Sequence, residues 1–88
     1  MKKLNKLPEW FNGIIYDKGE TVTNPFSGDT YKLTNLELSM YDFIIGAQMV
    51  LEIPALSEEK QIEICKNMTK GISWFRRNNG KAYMVLLD

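Results

Sequence analysis

Few side chains in this 88-residue chain are suited to catalysis. The chain has no histidine and a single cysteine, Cys65. Imidazole acid–base catalysis and Ser-His or Cys-His nucleophilic catalysis both require histidine, and a structural zinc site requires several Cys or His ligands. Cys65 stands among apolar residues, which predicts an unreactive thiol in the core. We therefore expect no catalytic residue, no metal ion and no cofactor.

Carboxylate catalysis is not excluded by residue type alone. No close pair of acidic residues stands in an apolar stretch, and Asp42 is the only acid deep within the most apolar segment. The pattern favours an ion-paired or capping Asp42 on a narrow exposed strip, with a functional acid as the alternative. No glycine-rich phosphate-binding loop or dinucleotide fingerprint is present. We predict that the protein is not an enzyme.

One line of basic side chains could bind nucleic acid. Lys66, Lys70 and Arg77 recur at helical spacing, with Ser73 between them and aromatic residues close by. Basic side chains beside aromatic ones can hold phosphates and stack on bases. However, glutamates lie on or near the same line, and 11 basic residues balance 11 acidic ones. Nucleic acid is therefore an unlikely partner on this pattern, and complementary charges at helix ends explain the basic residues.

A loop rich in turn residues could instead contact a protein. Its residues are Asn24, Pro25, Phe26, Ser27 and Gly28. Pro25 favours a turn, Gly28 can adopt a positive φ, and Asn24 can bond nearby backbone amides. Phe26 is then presented at the tip. We predict a contact site at this loop.

The segment 34–53 is expected to organise the fold. Thr34 and Glu37 have the spacing of a helix-capping box, and Pro54 cannot continue a helix. Between them, apolar residues cover most of the helix circumference, which is typical of a buried helix. The segment is too polar to span a membrane, which takes about 20 mostly apolar residues.

A narrow polar line along this helix suggests close packing. Asn35, Ser39, Asp42 and Gly46 share one line, and a glycine in mid-helix costs about 1 kcal/mol relative to alanine. Ser39 and Gly46 would let another backbone approach closely. That backbone belongs either to a partner helix of the same chain or to a second copy in a homodimer formed through helix 34–53.

The other elements are expected on either side of the central helix. We expect residues 1–6 to be disordered, a helical turn at 7–11, a short strand at 14–16, and strands at 20–23 and 30–33 joined by the loop 24–29. Ser57 is expected to begin a second long helix, with its inner face formed by Ile62, Cys65, Met68, Ile72 and Phe75. Gly80 is predicted to end that helix in the left-handed conformation. For residues 82–87 a short helix is favoured over a strand.

These elements predict one α+β domain over residues 1–88. An N-terminal β-hairpin packs on a buried central helix, followed by a second long helix and a short C-terminal helix.

Four stretches of the chain resemble a known group. They are NPFSG (24–28), LTNLELSMYDFIIGAQ (33–48), KGISWFRRN (70–78) and AYMVLLD (82–88). Together they resemble small uncharacterised proteins of tailed phages, especially phages of marine cyanobacteria. The resemblance covers roughly residues 14–53 and 66–88. It implies a phage origin and the cytoplasm of the host cell. The group has no established activity, so it assigns no functional residue.

The sequence thus predicts a small, non-enzymatic interaction protein that modulates a host or phage assembly. Its partner is a protein, with a second copy of the chain as one candidate. A nucleic-acid-binding accessory protein and a minor virion component are the alternatives. A basic N-terminus without an apolar core does not match a secretory signal peptide, which again predicts a cytoplasmic protein.

Overall fold

The structure is a computed structural model that describes residues 6–87. The elements in chain order are strands β1 (Glu20–Thr23) and β2 (Thr30–Leu33), and helices α1 (Asn35–Leu51), α2 (Glu58–Asn78) and α3 (Gly80–Leu86). β1 and β2 form an antiparallel hairpin that packs with the three helices. The predicted α+β fold, with its short C-terminal helix, is confirmed.

The hairpin has the predicted bounds. Val22 pairs with Tyr31 across it, and both side chains pack against the core. Leu33, at the end of β2, is fully buried. The hairpin therefore fixes the point from which the chain enters α1.

Helix α1 begins with the predicted capping box. The Thr34 hydroxyl accepts the Glu37 N–H at 3.3 Å, and Glu37 Oε1 accepts the Thr34 N–H at 3.0 Å. The helix ends at Leu51, before Pro54. Within residues 6–87, no helix is long and apolar enough to cross a membrane.

Burial along α1 is uneven. Met40 and Ile44 are fully buried, whereas Met49 and Val50 near the C-terminal end are exposed. The inner face of α1 is enclosed as far as Ala47, because β2 and α2 pack there. The distal half remains open on one side.

Helices α1 and α2 pack closely at Gly71. A Cβ atom at this position would lie 3.1 Å from Met40 Sδ and 3.3 Å from Ile44 Cγ1. The absence of a side chain therefore sets how closely the two helices approach. The expectation that Gly71 permits close packing is confirmed.

Only part of the predicted inner face of α2 is buried. Phe75 is fully buried, and Met68 and Ile72 pack against the core. The prediction is wrong for Ile62, which is 64% exposed, and for Cys65, which is also exposed. Both lie on the N-terminal half of α2, where no element covers that side of the helix.

The buried face of α2 is instead set by residues that the predicted stripe omitted. Trp74 is buried and Ile64 is half-buried. The Trp74 indole N–H donates to the Lys6 carbonyl at 3.0 Å, which fixes the chain entry against α2. Apolar spacing did not identify this face, because Gly71 has no hydrophobic side chain to mark it.

The junction between α2 and α3 differs from the predicted glycine cap. The chain turns at Asn79, with φ −155° and ψ 78°, and Gly80 is the first residue of α3. Gly80 does not adopt a positive φ. The Asn79 Oδ1 atom accepts the Ala82 N–H at 3.1 Å and so caps α3. Asn79 therefore ends one helix and begins the next.

A buried carboxylate joins this junction to the start of α1. Glu37 is 1% exposed, and its Oε2 atom accepts the side-chain N–H of Asn79 at 3.1 Å. The Tyr31 hydroxyl donates to Asn79 Oδ1 at 3.4 Å. The hairpin, α1, α2 and α3 thus meet at one polar cluster.

The segment before the hairpin contains a turn but no strand. The Phe11 N–H donates to the Pro8 carbonyl at 3.1 Å, which closes the single turn expected at 7–11. The predicted strand at 14–16 is wrong: Ile14 and Ile15 are exposed, and the Tyr16 backbone bonds to α1 instead of to a strand. The predicted disorder of residues 1–6 lies outside the described residues, apart from Lys6.

We expect Glu37→Ala to lower the free energy of unfolding by about 2 to 3 kcal/mol. The change removes a buried side chain and leaves the half-buried Asn79 amide and the Thr34 N–H without their acceptors. Urea denaturation measures the loss. Glu37→Gln retains one carbonyl acceptor in the same volume and should lose about half as much. A loss below about 0.5 kcal/mol for Glu37→Ala would contradict the structural role.

Candidate interaction surfaces

The polar line along α1 attaches the N-terminal segment. The Ser39 hydroxyl accepts the Tyr16 N–H at 2.9 Å, and the Asn35 side chain donates to the Tyr16 carbonyl at 3.1 Å. The Tyr16 hydroxyl donates to Asp42 Oδ2 at 3.0 Å. Ser39 therefore does admit another backbone, as predicted, but an extended segment and not a helix.

Gly46, the fourth member of that line, has no such partner. No described residue comes within 4 Å of the position where its Cβ atom would lie. The interpretation that Gly46 admits a helix of the same chain is wrong, because Gly71 has that role. Gly46 and Gly71 both occur in mid-helix, so the sequence alone does not show which of them lies at the contact between α1 and α2.

Gly46 lies in an open cleft of about 510 Å³ between the distal halves of α1 and α2. Phe43, Ala47 and Val50 of α1 and Ile64 of α2 contribute its apolar lining. Such a volume is within the range of protein binding pockets, roughly 300–1,000 Å³. Sequence analysis missed the cleft, because it depends on how two helices diverge.

Exposed apolar side chains extend this cleft into a larger surface. We name it the Gly46 face, formed by Ile14, Gly46, Met49, Val50 and Ile53. Ile14 and Met49 are 67% and 66% exposed. Ile14, Gly46 and Val50 line the cleft. Met49 lies three residues after Gly46 on α1, and Ile53 follows the end of that helix. Clustered exposed apolar residues are typical of interaction sites.

The predicted contact loop is held in one shape by Asn24. Asn24 Oδ1 accepts the Phe26 N–H at 2.8 Å, and its amide donates to the Val85 carbonyl of α3 at 2.9 Å. Gly28 has a φ of 82°, and its N–H donates to the Asn24 carbonyl at 2.8 Å. Pro25, Phe26, Ser27 and Gly28 are all exposed. The tip residue Phe26 is 97% exposed.

The predicted basic line is divided between two surfaces. Lys70, Ser73 and Arg77 line a shallow cleft of about 350 Å³. Lys66 lies outside that cleft, beside Cys65. Sequence analysis did not place the N-terminal segment in this cleft. A contact between residues 6–10 and α2 leaves no local pattern in the sequence.

Two titratable groups near the larger cleft, Tyr16 and Asp42, are hydrogen-bonded to each other. The hydrogen bond to Asp42 raises the pKa of the Tyr16 phenol, and burial and the charges of Asp42 and Glu20 add to this. Tyr16 therefore stays protonated at neutral pH and acts as a donor. Among the described residues, no group of His, Cys, Asp and Glu could hold a metal ion. Asp42 is itself exposed, but the predicted exposed strip is wrong, because Ser39 is buried beneath the N-terminal segment. The partner of Asp42 is a phenol.

Comparisons of the chain with protein-family models, with curated proteins and with solved structures gave no match. The arguments that follow therefore depend on the geometry of these surfaces.

The two helical glycines should respond to substitution in opposite ways. We expect Gly46→Ala to raise the free energy of unfolding by about 1 kcal/mol, because the new methyl group meets open space and alanine favours the helix. Gly71→Leu should lower it by about 1 to 3 kcal/mol through overpacking against Met40 and Ile44. Urea denaturation at low protein concentration measures both. A destabilised Gly46→Ala variant would mean that the chain itself covers this position.

Substitution at the loop should separate its tip from its anchor. We expect Phe26→Ala to change the free energy of unfolding by less than about 0.5 kcal/mol, because the side chain is already in solvent. Asn24→Ala removes the bonds to Phe26 and Val85 and should cost about 1 to 2 kcal/mol. Thermal or urea denaturation compares them. A large loss at Phe26 would place that ring in the core.

Proposed function

We propose that this protein is a non-enzymatic interaction protein, and that it self-associates through the Gly46 face. The observation that carries the proposal is a set of four exposed apolar side chains, Ile14, Met49, Val50 and Ile53, around the half-buried Gly46, where an added Cβ atom would meet open space. Burying exposed apolar surface is the main driving force of protein association. The absence of histidine and the hydrogen bond that engages Asp42 with the Tyr16 phenol support a non-enzymatic role.

Gly46 supports a backbone, not a small molecule, as the occupant. A glycine in mid-helix costs about 1 kcal/mol, and it removes the side chain that would keep another backbone away. Inside this chain the glycine at Gly71 has that effect against α1. By the same physical argument, Gly46 is suited to close contact with a helix of another molecule.

The charges around the cleft favour a second copy over a charged foreign partner. Asp42 and Glu63 lie at the cleft together with Lys60. In a twofold dimer the same patch faces itself, so the lysine of one copy can meet the acids of the other. The chain carries no net charge, so long-range repulsion does not oppose association.

The loop Asn24–Gly28 provides a separate contact for a foreign protein. It is bonded to α3, which follows the C-terminal end of α2, whereas the cleft lies beside the N-terminal half of α2. A helix of 21 residues is about 31 Å long. Self-association therefore leaves Phe26 accessible. Exposed aromatic anchors on rigid loops are common in binding surfaces.

The resemblance to proteins of tailed phages supports a setting for these contacts. In that setting the dimer acts in the cytoplasm of the host cell, and the loop contacts a host or phage assembly. The proposed self-association does not depend on this origin.

We expect the molar mass in solution to rise with concentration toward twice the 10.2 kDa of one chain. Light scattering over a concentration series measures it. Val50→Asp introduces a charge into the proposed interface and should weaken the dimer at least about tenfold. Gly46→Ala should also weaken it, although it stabilises the fold.

Met84→Asp is the matched control for this experiment. Met84 is also apolar and exposed, at 68% against 36% for Val50, but it lies on α3, away from the cleft. Its variant should dimerise like the parent chain. A parent chain that stays monomeric at every concentration would contradict the proposal, as would equal dissociation of the Val50→Asp and Met84→Asp dimers.

A further inference from the structure

A second surface, lined by residues other than those of the Gly46 face, combines cations with two tryptophan rings. We name it the basic cleft. Three of the described side chains that line it, Lys6, Lys70 and Arg77, are cationic, and none is acidic. The full lining is Lys6, Pro8, Trp10, Thr69, Lys70, Ser73, Trp74 and Arg77. Its volume is about 350 Å³.

None of the described residues that line the cleft is acidic, although the exposed Glu9 lies between Pro8 and Trp10 in the chain. Glu63, which lies near the basic line in sequence, faces the Gly46 cleft on another side of α2. The N-terminal segment adds Lys6 in the vicinity of Lys70 and Arg77. The folded chain therefore has a local concentration of positive charge at this cleft, although its net charge is zero.

The Trp10 ring of the cleft is held in place by aromatic contacts. The Trp10 ring packs on Phe43 with 5.7 Å between centroids, and Phe11 packs on Phe43 at 5.3 Å. The Lys70 ammonium group lies over the Trp10 ring, 6.0 Å from its centroid. A flat ligand that stacks on Trp10 would displace this ammonium group, which could then pair with an anion beside the ring.

The backbone of Lys6 is also held in place. The Trp74 indole N–H donates to the Lys6 carbonyl at 3.0 Å, so the backbone at Lys6 is tied to α2. Along α2, Thr69 precedes Lys70, and Ser73 lies between Lys70 and Arg77. Both hydroxyl groups can donate to phosphate oxygens. Cations, hydroxyl donors and a stacking ring form the combination that binds a phosphate with an attached base.

We propose that the basic cleft binds single-stranded nucleic acid. One phosphodiester is held by Lys6, Lys70 and Arg77, and the adjoining base stacks on Trp10. The cleft is open and small, which suits a nucleotide within a strand better than a rigid duplex. This site is independent of the proposed self-association.

The test is fluorescence anisotropy with a labelled oligothymidylate of about eight nucleotides at low salt. We expect a dissociation constant on the order of 10⁻⁴ M or tighter, and a slope of about −2 for log affinity against log salt, since three cations contact the strand. Lys70→Glu combined with Arg77→Glu should weaken binding at least about tenfold and reduce the slope. Tryptophan fluorescence should be quenched on binding.

The matched control is Lys18→Glu combined with Lys81→Glu, which changes the net charge equally at two exposed lysines outside the cleft. This variant should lose less than about threefold in affinity. Equal losses in the two double variants would overturn the proposal, as would no binding at low salt.

Two further outcomes would also overturn it. Equal affinity for thymidine monophosphate and for the strand would identify a nucleotide site and not a strand site. Binding to vesicles of anionic phospholipid without binding to the oligonucleotide would identify a membrane surface.

Discussion

The buried carboxylate of Glu37 holds the fold together at its most constrained point. Its two oxygens bond to the start of α1 and to Asn79, the residue at which α2 ends and α3 begins. A buried carboxylate is costly unless its oxygens are hydrogen-bonded, so these groups constrain one another. Asn79 in turn accepts from Tyr31 and Ala82. The packing of three helices and a hairpin thus depends on one cluster of polar groups.

These hydrogen bonds all lie at one end of the molecule, and the core at the other end of α1 and α2 is not fully enclosed. The core residues Leu33, Met40, Ile44 and Phe75 lie between the hairpin and the proximal parts of α1 and α2. A chain of 88 residues has too few elements to enclose both ends of two long helices. The C-terminal half of α1 and the N-terminal half of α2 therefore leave an open cleft at Gly46, which apolar residues of both helices line. The open cleft is a direct consequence of where the short chain places its core.

The parts of the fold that depend on local chemistry could be predicted from the sequence. The Thr34 capping box, the Ser57 cap and the loop 24–29 each depend on residues within a few positions of one another, and each is present. The predictions were wrong where a residue distant in sequence changed the local backbone structure. Asn79 bonds to Glu37 and caps α3, so Gly80 is not needed as a left-handed cap.

The same distinction explains which surface residues were missed. The apolar stripe through Ile62 and Cys65 has correct helical spacing, but no element covers that side of α2. Spacing predicts which residues share a face; it does not predict which face is covered. Likewise, the bond between Trp74 and Lys6 spans 68 positions and leaves no pattern in the sequence.

The two proposed surfaces are related through α2. Ile64 of that helix lines the Gly46 cleft, while Lys70 and Arg77 line the basic cleft on a different side and closer to the core. Because Gly71 fixes α2 against α1, neither surface can change its orientation without disturbing the packing at Met40. A twofold dimer formed through the Gly46 face would therefore display two basic clefts in a fixed relation. A strand long enough to reach both would bind more tightly than one that reaches a single cleft, without any new contact.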